Sequence, residues 1–152
     1  MDIFQVGLFG HRVLSNALET EQRLEKLVQN CLRENEYVVF YVGRSGEFDL
    51  LAASVVHRVR RKIGAENSEL VLVLPYTTAE YRNNKESFYS YYDSVELCAR
   101  CREVHFKSAY RVRNREVVDR SDVIFCCLER NTGGVWDVVC YAKKGNKPII
   151  FL

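Results

Sequence analysis

Three runs in this chain, YVVFYV (Tyr37 to Val42), ELVLVLP (Glu69 to Pro75) and DVIFCCL (Asp122 to Leu128), are apolar at consecutive positions. A strand with one wet face alternates apolar and polar residues, whereas a strand that is apolar throughout needs cover on both faces. That requirement restricts the chain to sheets enclosed between helices, and the segments between the runs can supply them. IFQVGLF (Ile3 to Phe9) reads as a further short strand. Asn16 to Glu34 has helical periodicity through Leu18, Leu24, Leu27, Val28 and Cys31, with Asn16 and Glu19 spaced as a capping box. A second helix follows GRSGEFD and runs to about Ile63. Beyond Pro75 come an aromatic-rich helical region, a weak strand near Val104 to Lys107 and a short helix from Arg111 to Arg120. Gly133 to Lys143 reads as the last helix and KPIIFL as the last strand.

Strands alternating with helices predict an α/β protein: a single Rossmann-like, doubly wound, mainly parallel sheet with helices on both faces. No linker, repeat or low-complexity stretch divides the chain, so residues 1–152 are expected to form one domain. The net charge of +2 does not call for nucleic acid or an anionic membrane. No run is long enough to span a bilayer and the amino terminus lacks a signal-peptide pattern, so the expected location is the cytoplasm. Nothing in the pattern argues against a homo-oligomer.

Six cysteines raise the question of metal. Cys31 and Cys140 lie in helix-like stretches and Cys126 and Cys127 in an apolar strand-like run, and all four are expected in the core. Cys98 and Cys101 form the one CxxC; His105 offers a third ligand and nothing offers a fourth, so no metal is expected.

In doubly wound sheets, ligands bind beyond the carboxyl ends of the strands. Four loops assigned there are rich in glycine and polar residues. They are Gly10-His11-Arg12, Gly43-Arg44-Ser45-Gly46 running on to Asp49, Arg111 to Arg115, and Asn131-Thr132-Gly133-Gly134. Glycines at a strand-to-helix turn permit positive φ and close approach of backbone N–H groups to an anion, which the helix dipole also favours. Arg12 and Arg113 are the preferred phosphate partners because the guanidinium fork spans two oxygens. His11 either donates to a phosphate or caps its turn. Glu47 and Asp49 open the second helix, where acids complement its dipole. Asp49 alternatively accepts ribose hydroxyls or acts on an N-glycosidic bond, a role for which Glu47 and Glu129 are the other candidates. Among the aromatics, Tyr76 at a strand end is the candidate for stacking a base, while Tyr81, Phe88, Tyr89, Tyr91 and Tyr92 read as packing. The basic run Arg58, Arg60, Arg61, Lys62 reads as a solvated helix face. Neither GxGxxG nor the P-loop motif is present.

Taken in order, Gly10-His11-Arg12, Gly46-Glu47-Phe48-Asp49, the Arg113-Asn114 to Ser121-Asp122 segment, Thr132-Gly133-Gly134, Tyr141-Ala142-Lys143 and Lys147-Pro148 resemble the SLOG superfamily. That Rossmann-like group includes DprA and the LOG proteins, and the likeness is greatest to its YpsA-like branch. The PGGxGTxxE motif of the cytokinin-activating LOG enzymes is absent, and Arg44 stands where that branch has a second glycine. The resemblance implies a nucleotide or nucleotide-derived ligand at the strand ends, held by a sensor or binding module. The alternative is an enzyme that hydrolyses or transfers an N-glycosidic bond. The candidate binding residues are Gly10, His11, Arg12, Gly43, Arg44, Ser45, Gly46, Asp49, Tyr76, Arg113, Thr132, Gly133 and Gly134. No cofactor is implied beyond such a ligand.

Overall fold

The computed structural model describes residues 1–152. Its strands are β1 (Ile3–Gly10), β2 (Tyr37–Val42), β3 (Ser68–Leu74), β4 (Ser94–Leu97), β5 (Val123–Cys127) and β6 (Ile149–Phe151). The helices are α1 (Ala17–Glu34), α2 (Glu47–Ile63), α3 (Ala79–Asn83), α4 (Lys85–Tyr91), α5 (Phe106–Arg120) and α6 (Gly133–Lys144). A 3₁₀ turn at Ala99–Cys101 precedes α5. All six strands are parallel, in the order β4-β3-β2-β1-β5-β6. The sheet steps outward from β1 to the β4 edge, then α5 carries the chain back to β5 on the other side of β1. The strand order therefore switches between β1 and β5, which is where such sheets open a crevice.

The consecutive apolar runs have the structural consequence they predict. Val38, Phe40 and Val42 of β2 face one core, packed under α1, α2 and the α3–α4 pair, together with Leu70, Leu72 and Leu74 of β3. Their neighbours Val39, Tyr41, Val71 and Val73 face the opposite core under α5 and α6. Alternate side chains thus enter different cores, so a one-residue register slip would exchange the two sets.

Five expectations require correction. The fourth strand is Ser94–Leu97, pairing with β3, and not Val104 to Lys107. SVEL lies at a sheet edge, where its polar Glu96 pairs with Arg120 at 2.7 Å and the apolar signal is weak. Val104 to Lys107 is the approach to α5, with the His105 imidazole accepting a hydrogen bond from the Lys107 N–H as the amino-terminal cap. Arg111 to Arg115 accordingly lies inside α5 rather than in a loop; Arg111 and Arg115 pair with Asp137 of α6. Asn16 does not cap a backbone N–H of α1, because its amide binds the Glu19 carboxylate instead, at 2.6 Å. Cys140 is exposed, while the other five cysteines are buried and unpaired. In the basic run, Arg58, Arg60 and Lys62 are bound to Glu21, Glu25 and Asp93 of neighbouring segments, so that face ties elements together. No helix is long and apolar enough to cross a membrane.

Candidate functional site

A cleft of about 480 Å³ opens at the carboxyl ends of β1, β2, β3 and β5. Its first wall combines the β1–α1 and β2–α2 turns. Gly10, Gly43 and Gly46 have no positive φ, so conformational freedom is not what selects glycine there. A Cβ on Gly10 would lie 2.1 Å from Cγ of Phe48, a fully buried ring, and one on Gly46 would lie 2.4 Å from Cα of Arg12. The two turns are therefore pressed together, and the Glu47 N–H donates to the Arg12 carbonyl at 2.8 Å. Glu47 returns the clamp: its carboxylate accepts the Leu14 N–H at 2.7 Å. Glu129 does the same from the turn after β5, accepting the Ser15 N–H at 3.0 Å.

The second wall is the amino terminus of α6. Gly133 adopts φ +81, and a Cβ there would meet nothing within 4 Å. Thr132, Gly133 and Gly134 are exposed and line the cleft, with no side-chain cap on the helix terminus behind them. Such a terminus presents unpaired N–H groups and a partial positive charge.

Between the walls lies a buried polar floor. Arg113 is only 4% exposed; its Nε donates to the Val73 carbonyl at 2.7 Å and its Nη1 to Asn114 Oδ1 at 2.9 Å. Its Nη2 is buried with no partner. Burial lowers the Arg113 pKa, opposed chiefly by Asp49, but a guanidinium keeps its proton in proteins. Asp49 is 9% exposed and accepts from the N–H and the hydroxyl of Ser45, at 2.9 and 3.0 Å. Burial drives the Asp49 carboxyl above the usual carboxylate range, against those bonds and Arg113. A Cβ on Gly43 would come within 2.9 Å of the Asp49 carboxylate and 3.3 Å of Arg113 Nη2. Glycine here lets both groups close over the backbone.

His11 is buried, and its Nε2 accepts the Arg130 N–H at 3.4 Å. Burial and then the charge of Arg130 hold its pKa below the ordinary imidazole value. The ring is thus neutral, protonated at Nδ1, and ties the first wall to the second. Arg12 is exposed on the cleft and carries no ion pair. Arg44 reaches the cleft only in part, since its guanidinium turns away to Glu80 at 2.8 Å and the Tyr92 hydroxyl at 2.9 Å, over the Phe88 ring.

The fold thus brings Gly10, His11, Arg12, Gly43, Arg44, Ser45, Asp49, Arg113, Thr132, Gly133 and Gly134 to one cleft. Gly46 lies behind the first wall, Tyr76 stands at the edge and touches the cleft through Tyr110, and Glu47 and Glu129 are outside it. Tyr110, Asn114 and Arg130 also line it and escaped the sequence reading. Tyr110 and Asn114 share a helix face with Arg113, and Tyr110 lies just before the Arg111 to Arg120 stretch expected to be helical. Arg130 follows strand β5 as Arg12 follows β1, and the same rule would have found it.

Fold and cleft together define a parallel, Rossmann-like α/β protein with a cationic crevice at its topological switch point. No protein-family model and no curated protein matches the chain. Solved structures do. DNA processing protein A of Helicobacter pylori, studied for its single-stranded DNA binding mode, superposes with a TM-score of 0.67 at 17% identity, over 97% of this chain and 64% of that one. DprA of Streptococcus pneumoniae gives 0.69 at 14% identity, over 98% and 50%. The molybdenum cofactor binding protein of the phototrophic bacterium Rippkaea orientalis gives 0.65 at 17%, over 99% and 77%. At these identities the shared property is the fold. The chain spans between half and two thirds of the length of the two DprA chains.

Proposed function

We propose that the chain binds a nucleotide or nucleotide-derived ligand in the strand-end cleft, as a SLOG-type sensor or binding module whose motifs resemble the YpsA-like branch. The observation that carries this reading is the free Nη2 of Arg113, a buried cationic donor without an acceptor. Leaving such a group unpaired is costly unless an anion completes it. A phosphate between Arg113, Arg12 and the Gly133–Gly134 amides would accept from a charged fork and from a helix terminus at once. Asp49 and Ser45 lie within the same cleft for a sugar hydroxyl, and Tyr110, with Tyr76 against it at the edge, is placed for a base. A molybdenum cofactor binding protein among the structural neighbours is in keeping with a ligand-binding role.

A thermal-shift screen with AMP, ADP-ribose, NAD, cyclic dinucleotides and a single-stranded oligonucleotide tests the proposal. A small nucleotide should raise the melting temperature, since a ligand of the native state stabilises it. The same ligand should shift Arg113→Met by clearly less. A response to the oligonucleotide alone would replace this reading with nucleic-acid binding.

Asp49 supports a second reading, cleavage or transfer of an N-glycosidic bond. It is the one candidate carboxylate that lines the cleft, and burial raises its pKa, the direction a proton donor or acceptor needs. Release of free base from nucleotides by the wild type and not by Asp49→Asn would establish it; no release by the wild type would reject it.

A further inference from the structure

A second depression of about 360 Å³ lies beside the cleft and shares Pro75 with it. Its chemistry differs: the cleft is lined by arginines and glycines, this groove mostly by apolar side chains. Tyr76, Leu97 and Phe106 form its walls and are 40%, 50% and 64% exposed, unusual for large apolar residues in a chain with two full cores. Cys98, Cys101 and Ala109 form a floor of small, buried residues. The Cys101 thiol is spent inward, donating to the Ala109 carbonyl at 3.3 Å, so the floor is apolar to a visitor. Phe106 does not collapse into the groove. Its ring stacks on His105, with centroids 4.7 Å apart and planes at 30°, while His105 is itself held as the cap of α5. At the junction, Tyr76 meets Tyr110 edge to face at 5.9 Å, and Tyr110 belongs to the cleft.

We infer that this groove is the nucleobase subsite of the ligand held by the cleft, an inference that rests on the nucleotide reading above. A small-residue floor between propped aromatic walls is a slot for a flat ring, and rings stack on aromatic faces regardless of their substituents. Continuity at Pro75, Tyr76 and Tyr110 places such a slot next to the cationic cleft. An occupant must therefore be anionic at one end and flat and apolar at the other, as a nucleoside monophosphate is. Thr77 and Arg102 line the groove as well and provide polar groups for the ring edge.

Isothermal titration of the full chain with AMP, GMP, CMP and UMP, each against ribose 5-phosphate, separates the two ends of the ligand. At least one mononucleotide should bind the wild type more tightly than ribose 5-phosphate. Phe106→Ser and Tyr76→Ala should each weaken that nucleotide about tenfold and leave ribose 5-phosphate unchanged. Both positions are exposed, so the melting temperatures of the variants should match the wild type. Arg113→Met should instead weaken both probes alike. Nucleotide affinity unchanged in both groove variants, or no advantage of any nucleotide over ribose 5-phosphate, overturns the base subsite while the cleft reading stands. Failure of every probe to bind the wild type overturns both.

Discussion

The two walls of the cleft use glycine for opposite reasons. On the β1/β2 side, Gly10 and Gly46 keep ordinary backbone angles and are required because a neighbour already occupies the place of a Cβ. On the α6 side, Gly133 stands in open space at φ +81, where the constraint is the backbone itself. One wall is a packed joint between two turns, the other a bare helix terminus facing solvent. The same residue type in the same kind of strand-to-helix turn therefore marks rigidity on one side and an exposed donor array on the other.

That contrast breaks most visibly at Gly10. A methyl group 2.1 Å from the Phe48 ring cannot be accommodated by moving a flexible tip, because the nearest atoms are Cγ and Cβ of a fully buried side chain. Overpacking of this kind costs roughly 3 kcal/mol. Gly10→Ala should therefore lower the melting temperature by about 6–12 °C in a chain of this size. Gly134→Ala has no neighbour closer than 3.8 Å and should be near neutral. Equal melting temperatures for the two variants would refute the packed-joint account.

Arg113 lies between the walls and tests the site rather than the fold. Arg113→Met removes the unpartnered Nη2, and hydrogen bonds to a charged group contribute roughly 1.5–3 kcal/mol, so ligand affinity should fall about ten- to a hundredfold. Calorimetric titration with the nucleotide identified by thermal shift measures it. Retention of full affinity would remove Arg113 from the site.

At Gly133 the expected effect is smaller. An alanine at φ +81 meets no atom but occupies the left-handed region, at a cost of about 1 kcal/mol, or roughly 2–4 °C in melting temperature. If Gly133→Ala proved as damaging as Gly10→Ala, the open wall would be packed after all.

Much of this architecture was legible from residue order. Runs such as YVVFYV must be covered on both sides, and that alone led to the parallel sheet and to the correct positions of β2, β3 and β5. What failed was the edge: β4 is short and half polar, and its Glu96 is neutral in appearance until Arg120, 24 residues later, pairs with it. Losing β4 misplaces the start of α5, so that Arg111 to Arg115 reads as a strand-end loop as well as the head of a helix. Within the site, glycine and arginine positions could be read by type, but the reason for Gly10 depends on Phe48, which only the α2 packing brings near. Glu47 and Glu129 looked like candidate acids for the same reason. Their partners, the amides of Leu14 and Ser15, lie 33 and 114 residues away in sequence and are visible only in the folded chain.

The smallest expected effect concerns the tie between the walls. His11 accepts the Arg130 N–H through Nε2, which requires the neutral ring. Its pKa in the folded chain is held below the ordinary imidazole value by burial and by Arg130. As pH falls through about 6.5, the unfolded chain therefore takes up a proton before the folded one does. The stability contributed by neutral His11 is present above that pH and is lost below it, until the folded-state pKa is passed. His57, also lowered by burial, acts in the same direction, and Asp49, raised by burial, acts in the opposite one. The informative quantity is thus a difference between two chains measured in the same buffers. His11→Gln keeps an oxygen acceptor for the Arg130 N–H and cannot titrate. Between pH 7.5 and pH 5, the wild type should lose more melting temperature than His11→Gln, by about 1–3 °C if the effect is ~1 kcal/mol or less. Parallel curves for the two chains would mean that the tie does not depend on the neutral ring, the walls being held by the Glu129–Ser15 and Arg130–Val13 bonds as well.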